Sequence, residues 1–241
     1  MATKTTQRSE TNGQTTDETT ATPSEAAAPS VLLARVKIET MLVPIIGTSP
    51  LIVSRFTEKQ KRAMLATQQK RKEAKEPRDP DAEYESSLYL LDDETPGMPA
   101  VAFKAATISA SRFYARTVKM VELRQFLFFQ GEMSKQAQQQ LVRIVGKHHS
   151  REDVVRLAGP SRSADLRYRA EFSDWSTTLT VAFAAGCISR DSILSLIHAG
   201  GFGVGVGEWR PERNGEFGRY EIDYDRNLIL EVDGDREEVR W

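Results

Sequence analysis

The chain has 241 residues, 39% hydrophobic and 28% charged, with a formal net charge of −1; this is ordinary globular composition and lacks the strongly basic balance that marks many nucleic-acid-binding domains. No run approaches the roughly 18 apolar residues of a membrane span, and the start lacks the basic and apolar regions of a secretory signal, so a cytoplasmic location is expected. The single cysteine, Cys187 within VAFAAGCI, excludes an internal disulfide and fits a reducing compartment.

Residues 1–30 are mostly Thr, Ser, Gln, Glu and Ala and contain no aromatic residue. Such a segment cannot bury enough apolar area to offset its chain entropy, so it is predicted to be a disordered tail, with one folded domain over 31–241. The first strand is expected over 31–43 (VLLARVKIETMLV), where Arg35, Lys37 and Glu39 interleave with apolar residues and Pro44 and Gly47 end the run. Residues 57–76 hold helix formers throughout but only Met64 and Leu65 as large apolar residues, so a solvated or partner-bound helix is predicted as an insertion over 57–80. Pro77 and Pro80 close it in a loop.

Small and apolar residues over 99–115, with Phe103, Ile108 and Phe113 among them, predict a buried helix after Pro99. A strand is expected over 123–130 (LRQFLFFQ), a helix or hairpin arm over 134–145, and a short strand over 154–157. Over 166–172, Leu166, Tyr168, Ala170 and Phe172 alternate with Arg167, Arg169 and Glu171, which sends one set to the core and displays two arginines on the other face. A strand over 176–183 follows, then a helix capped by Ser189, with Ile193, Leu194, Leu196 and Ile197 as its apolar face and Gly200 as its stop. A strand pair or bent strand over 220–232 completes an α+β sandwich with helices on one face of a mainly antiparallel sheet.

Charge is uneven along this framework. Residues 1–30 carry two basic and four acidic groups and 221–241 carry three and eight, which leaves 28 basic against 22 acidic groups between them. Seven basic residues fall within 59–75, including Lys70, Arg71, Lys72 and Lys75, with Glu73 the only acid there. This run reads either as a track for phosphates or as a plain solvated face. The segment from Gly200 to Gly218 packs seven glycines beside Trp209, Arg210, Arg213 and Arg219. Glycine lets backbone amides approach an oxyanion, arginine supplies bidentate donors to phosphate, and Trp209 has a ring face suited to base stacking. The competing reading is a turn packed tightly against a sheet, with Gly200, Gly201 and Gly203 at a helix stop.

Three motifs together resemble the RAMP superfamily, the RNA-binding proteins of CRISPR effector complexes: GTSPL at 47–51, GMPAVAFKAATISASRF at 97–113, and GVGEWRPERNGEFGRYEI at 205–222. The arrangement also looks like a family of uncharacterised tailed-phage proteins. The RAMP resemblance covers about a third of the chain and omits 116–159. It implies a ferredoxin-like (RRM-like) core with insertions, and single-stranded RNA or DNA as partner, held without catalysis. By that resemblance Gly205, Gly207, Gly215 and Gly218 form the glycine-rich loop, Lys104 sits near the bound strand, and copies assemble side by side, in the host cytoplasm if the protein is phage-encoded. Arg167 and Arg169 would meet phosphates from a sheet surface, or pair with Asp165 or Glu171. Two rivals stay open: a structural or host-interaction protein that keeps the fold alone, and a metal-independent ribonuclease. No cofactor or metal is expected. His148, His149 and Asp153 lack a zinc spacing, GFGVGVG leads into no Rossmann helix, and neither a Walker pattern nor a GxSxG elbow occurs.

Overall fold

The structure, a computed structural model, describes residues 33–70, 77–115, 117–156 and 164–240, and the fold below is that of the described residues from Val36 onward. The expected disordered tail lies outside the described residues, as do Arg71, Lys72 and Lys75. In chain order the first half runs β1 (Ile38–Gly47), β2 (Leu51–Val53), α1 (Glu58–Gln68), α2 (Pro80–Ser87), β3 (Tyr89–Leu90), β4 (Pro96–Pro99) and α3 (Ala100–Ser109). The second half runs α4 (Met120–Phe126), β5 (Leu127–Gln130), β6 (Glu132–Ser134), β7 (Gln139–Arg143), β8 (His148–Arg156), β9 (Ala164–Phe172), β10 (Ser176–Ala184), α5 (Arg190–Gly203), β11 (Tyr220–Ile222), β12 (Leu228–Val232) and β13 (Asp235–Val239).

Alternating side chains build the central sheet. Met41, Val43 and Ile45 of β1, Leu179, Val181 and Phe183 of β10 and Leu127 and Phe129 of β5 are buried. They pack with Phe103 and Ile108 of α3 and Ile193, Leu196 and Ile197 of α5 in one core. Ile38, Ile46 and Phe128, on the opposite pleat, are exposed. Strand order is β13-β12-β1-β10-β5, with β11 also on β1, and every neighbouring pair is antiparallel. The succession β1-α3-β5-β10-α5-β11/β12 on this order is the split βαβ arrangement of a ferredoxin-like α+β fold. Two insertions join it. Segments between β1 and α3 and between β5 and β10 each supply strands to two accessory sheets, β2-β9-β8 and β3-β4-β7-β6.

Several local expectations are corrected by tertiary context. The opening strand begins at Ile38 and continues through Pro44 to Gly47. The C=O of Pro44 accepts from Asp223 N–H, so the donor that proline lacks would point to the same side, at the break between β11 and β12 where no ladder bond is needed. The polar helix is shorter than expected: Thr57 and Gln60 form a capping box, only Ala66 is buried, and Lys70 beyond the cap has φ +56°. Pro80 starts a helix instead of closing a loop, because Asp79 caps it and proline suits the first helical position. Residues 120–126 are helical before β5, with Leu123 turned into the core. Of the two readings for 134–145, the hairpin arm is the one formed, by β6 and β7.

Gly200 does not stop α5, which runs on to Gly203. A Cβ on Gly200 would lie 3.1 Å from the backbone of Ala106 in α3, and one on Gly201 would lie 2.0 Å from the carbonyl oxygen of Tyr220. These glycines let the helix press against α3 and β11.

Candidate nucleic-acid interface

The loop from α5 to β11 is stitched onto the chain between β1 and β2. Gly218 N–H donates to Pro50 C=O at 2.7 Å, Glu208 N–H to Ile52 C=O at 2.9 Å, and Arg219 N–H to the Ser49 hydroxyl at 2.9 Å. Val206 N–H donates to Gly218 C=O, Phe217 N–H to Trp209 C=O and Gly215 N–H to Arg210 C=O. These amides therefore do not offer an anion nest. At Gly218, φ is +66° and a Cβ would lie 1.7 Å from the Val206 carbonyl oxygen; at Gly207, φ is +78° and a Cβ would lie 2.5 Å from that of Ile52. Backbone freedom at both positions serves close packing of the loop on itself and on β2. Gly215 and Gly205 make similar close approaches, to Trp209 and to Pro211. A cleft of about 340 Å³ separates the loop from the start of α3, with Val101, Ala102 and Ala105 on one wall and Gly205, Glu208 and Arg210 on the other.

Trp209 has φ +51°, and its ring is covered by cations. The guanidinium of Arg169 lies 5.0 Å from the ring centroid and that of Arg151 5.6 Å, while Arg151 also lies 4.7 Å from the Phe217 centroid. Asp153 holds both arginines, with Oδ2 accepting from Arg169 Nη2 at 2.6 Å and Oδ1 from Arg151 Nε at 2.8 Å. Glu171 takes the other arm of Arg151, and Glu208 stands 3.6 Å from Arg169. Arg169 and Asp153 are each 5% exposed. The expectation that β9 displays two arginines is thus corrected at Arg169: the glycine-rich loop lies over that face and buries it. Arg167 remains half exposed and pairs with Asp165 at 3.3 Å. The partner of Glu171 is Arg151.

The loop arginines differ from one another. Arg210 donates twice to Glu212 and once to Gly207 C=O, so its charge is offset. Arg213 is exposed at the end of the 3-10 turn Pro211–Arg213 and has no carboxylate partner among the described residues. Arg219 likewise has none; its guanidinium lies 5.2 Å from the ring centroid of Phe202, and its Nε is buried without a hydrogen bond. Lys104 stands apart from the loop, donating to Arg124 C=O at 3.1 Å and lying 4.4 Å from the centre of the Phe128 ring; burial lowers its pKa. Lys70 is exposed at the end of α1. Sequence reasoning overlooked Arg151, Glu208, Phe217 and Phe202. Opposed charges in RED at 151–153 and RYRAE at 167–171 were the available signal, and they converge only once β8 and β9 pair.

His148 shares a 2.7 Å hydrogen bond with the Tyr84 hydroxyl and packs on Phe172, where burial lowers its pKa. Among the described residues no group of three His, Cys, Asp or Glu side chains is disposed to hold a metal, and no helix is long and apolar enough to cross a membrane.

Fold and loop together define a ferredoxin-like α+β protein whose glycine-rich segment closes on the N-terminal half of its core. No protein-family model matches the chain, and no curated protein matches it in sequence. Among solved structures it is similar to a chain of the type III-B Cmr-beta complex bound to cognate target RNA, at TM-score 0.38 and 9% identity, covering 85% of this chain and 61% of that one. It is also similar to Cmr6 from Pyrococcus furiosus, at TM-score 0.38 and 10% identity, covering 78% of this chain and all of that one. Likeness at this level carries no functional inference.

Proposed function

We propose that the chain binds single-stranded nucleic acid without cleaving it, through phosphate contacts from the arginines of its glycine-rich loop. The observation that carries this reading is the pair Arg213 and Arg219, two guanidinium groups without a carboxylate partner among the described residues, on a loop held by backbone bonds to residues 49–52. Guanidinium groups without an ionic partner favour phosphate oxygens. Copies would sit side by side along the strand, in the host cytoplasm if the protein is phage-encoded.

Gel shifts with single-stranded DNA and RNA across a salt series test the reading. Affinity should fall as a power of salt concentration, and the double substitution Arg213→Ala/Arg219→Ala should reduce the slope by about 1.4, at about 0.7 per lost single-strand phosphate contact. Absence of binding at low salt overturns it. Cleavage of the probe without added metal would support a ribonuclease instead.

A second reading, a structural or host-interaction protein that keeps the fold alone, draws on the covered ring of Trp209 and the offset charge of Arg210. It expects no retardation of either probe.

A further inference from the structure

We propose that Phe202 is a stacking platform for an unpaired base, so that the strand is gripped by its bases at the end of α5 as well as by its phosphates at the loop. This inference rests on the single-strand reading above. Phe202 lies in the last turn of α5 and is 64% exposed. On one side of it Gly201 sits so close to β11 that a Cβ would be 2.0 Å from the Tyr220 carbonyl oxygen; on the other, a Cβ on Gly203 would be 2.4 Å from Cζ of Phe113. Flanking glycines thus fix the helix backbone under Phe202 while leaving its ring in water.

A second aromatic residue, Phe113, is 57% exposed with its ring edge against Gly203. The Arg219 guanidinium lies over the Phe202 ring at 5.2 Å from its centroid, and Phe202 stays largely exposed, which leaves ring surface open to a further partner. Scattered exposed apolar residues are ordinary on protein surfaces. Here the backbone under the ring is fixed by packing, a guanidinium with no carboxylate partner among the described residues already lies over the ring, and a second exposed aromatic side chain, Phe113, lies against the adjacent Gly203. A flat, unpaired base would add to that stack while its adjoining phosphate meets Arg219, and base–aromatic stacking is tolerant of sequence. A paired base, with both faces already stacked in a duplex, would not enter.

The test uses the full-length chain, the variants Phe202→Ala and Phe202→Trp, an oligothymidylate, the same strand carrying one 2-aminopurine, and an all-abasic strand of equal length. The parent should quench 2-aminopurine fluorescence and bind the abasic strand more weakly than oligothymidylate. Phe202→Ala should weaken oligothymidylate binding by about 5- to 150-fold, the range that loss of one stacked base implies, while the salt slope stays unchanged. Phe202→Trp should retain binding. Because the ring is exposed, the thermal melt of the alanine variant should match that of the parent.

Equal affinity of parent and Phe202→Ala for oligothymidylate overturns the platform and leaves the single-strand reading intact. A changed salt slope in Phe202→Ala also overturns it, by making the ring a mere support for Arg219. So does a lowered oligomeric state with unchanged affinity, which would assign the ring to contact between copies. If the parent binds neither strand at low salt, the single-strand reading itself falls and takes the platform with it.

Discussion

Replacing Asp153 by alanine removes the carboxylate that anchors two arginines at once. Among the described residues Arg169, 5% exposed, then keeps only Glu208 at 3.6 Å, beyond hydrogen-bond length, and the face of Trp209. Breaking a buried pair by deleting one partner destabilises by about 3 to 5 kcal/mol, because the remaining charge stays buried without compensation. Arg151 retains Glu171, and Glu208 remains near Arg169, so the lower end, about 3 kcal/mol, is expected for Asp153→Ala. Arg169→Met removes the charge with similar bulk and leaves Asp153 its bond to Arg151, so its loss should be smaller. The double variant should be more stable than the sum of the two losses by about 1 to 3 kcal/mol. Urea unfolding followed by tryptophan fluorescence measures this. With a slope of about 2 kcal/mol per molar, the midpoint of Asp153→Ala should fall by about 1.5 M. A shift below about 0.5 M, or strict additivity in the double variant, would refute the reasoning and show that water reaches the pair.

Gly201→Ala tests helix packing against helix propensity: in an exposed helix the change gains about 1 kcal/mol, but here the new Cβ meets the Tyr220 carbonyl, so the melting temperature should drop. A rise would show that β11 yields easily. Gly218→Val combines positive φ with a clash against the Val206 carbonyl and should abolish cooperative unfolding or lower stability by more than about 2 kcal/mol, whereas Arg213→Ala should leave the melt unchanged. Acid stability should depend on Glu39. Burial raises its carboxyl pKa, but hydrogen bonds and charge from Arg190 and Lys37 outweigh burial and hold it below the ordinary 4.5. A depressed folded pKa contributes stability above the unfolded value that is lost as pH falls through the folded one. Urea midpoints measured from neutral pH to below about 4 should therefore fall more steeply for the parent than for Glu39→Gln, and parallel curves would contradict the assignment.

The α+β framework was legible because it rests on periodicity, whereas its ferredoxin-like form was expected only from the motif resemblance. Residues 176–183 alternate, Ser189 caps α5 through Ser192 N–H, and the apolar run after Pro99 is too rich in alanine for a strand. What the sequence hid were decisions made by neighbours distant in the chain. Alternation in β9 separates two faces, but it does not say which face is wet: α2 meets Ala170 through Ser87, and the glycine-rich loop covers Arg169. Gly200 has the local character of a helix stop, yet the backbone of α3 at Ala106 makes it a contact point. The glycine-rich segment was visible as a loop; the use of its amides was not, since Pro50, Ile52 and Ser49 accept them from the other end of the chain. Phe202 went unnoticed because nothing local distinguishes an exposed phenylalanine from a buried one.

The position of β1 in the middle of the central sheet constrains how the chain acquires its structure. β1 is flanked on both sides by strands that follow it at great distance, and its Glu39 and the adjoining Ser49 bond to residues 151 and 170 positions later. During synthesis β1 emerges with neither neighbour yet made, and both of its edges stay open until β10 and then β11 leave the ribosome. Closing loops of that length comes before any return from the contacts, so folding should be slow and should wait until β10 and β11 have been made. Over that interval the run LVPII within β1 is a bare strand, with Pro44 as its one interruption. That proline, harmless in the finished sheet, would hinder premature pairing between nascent chains.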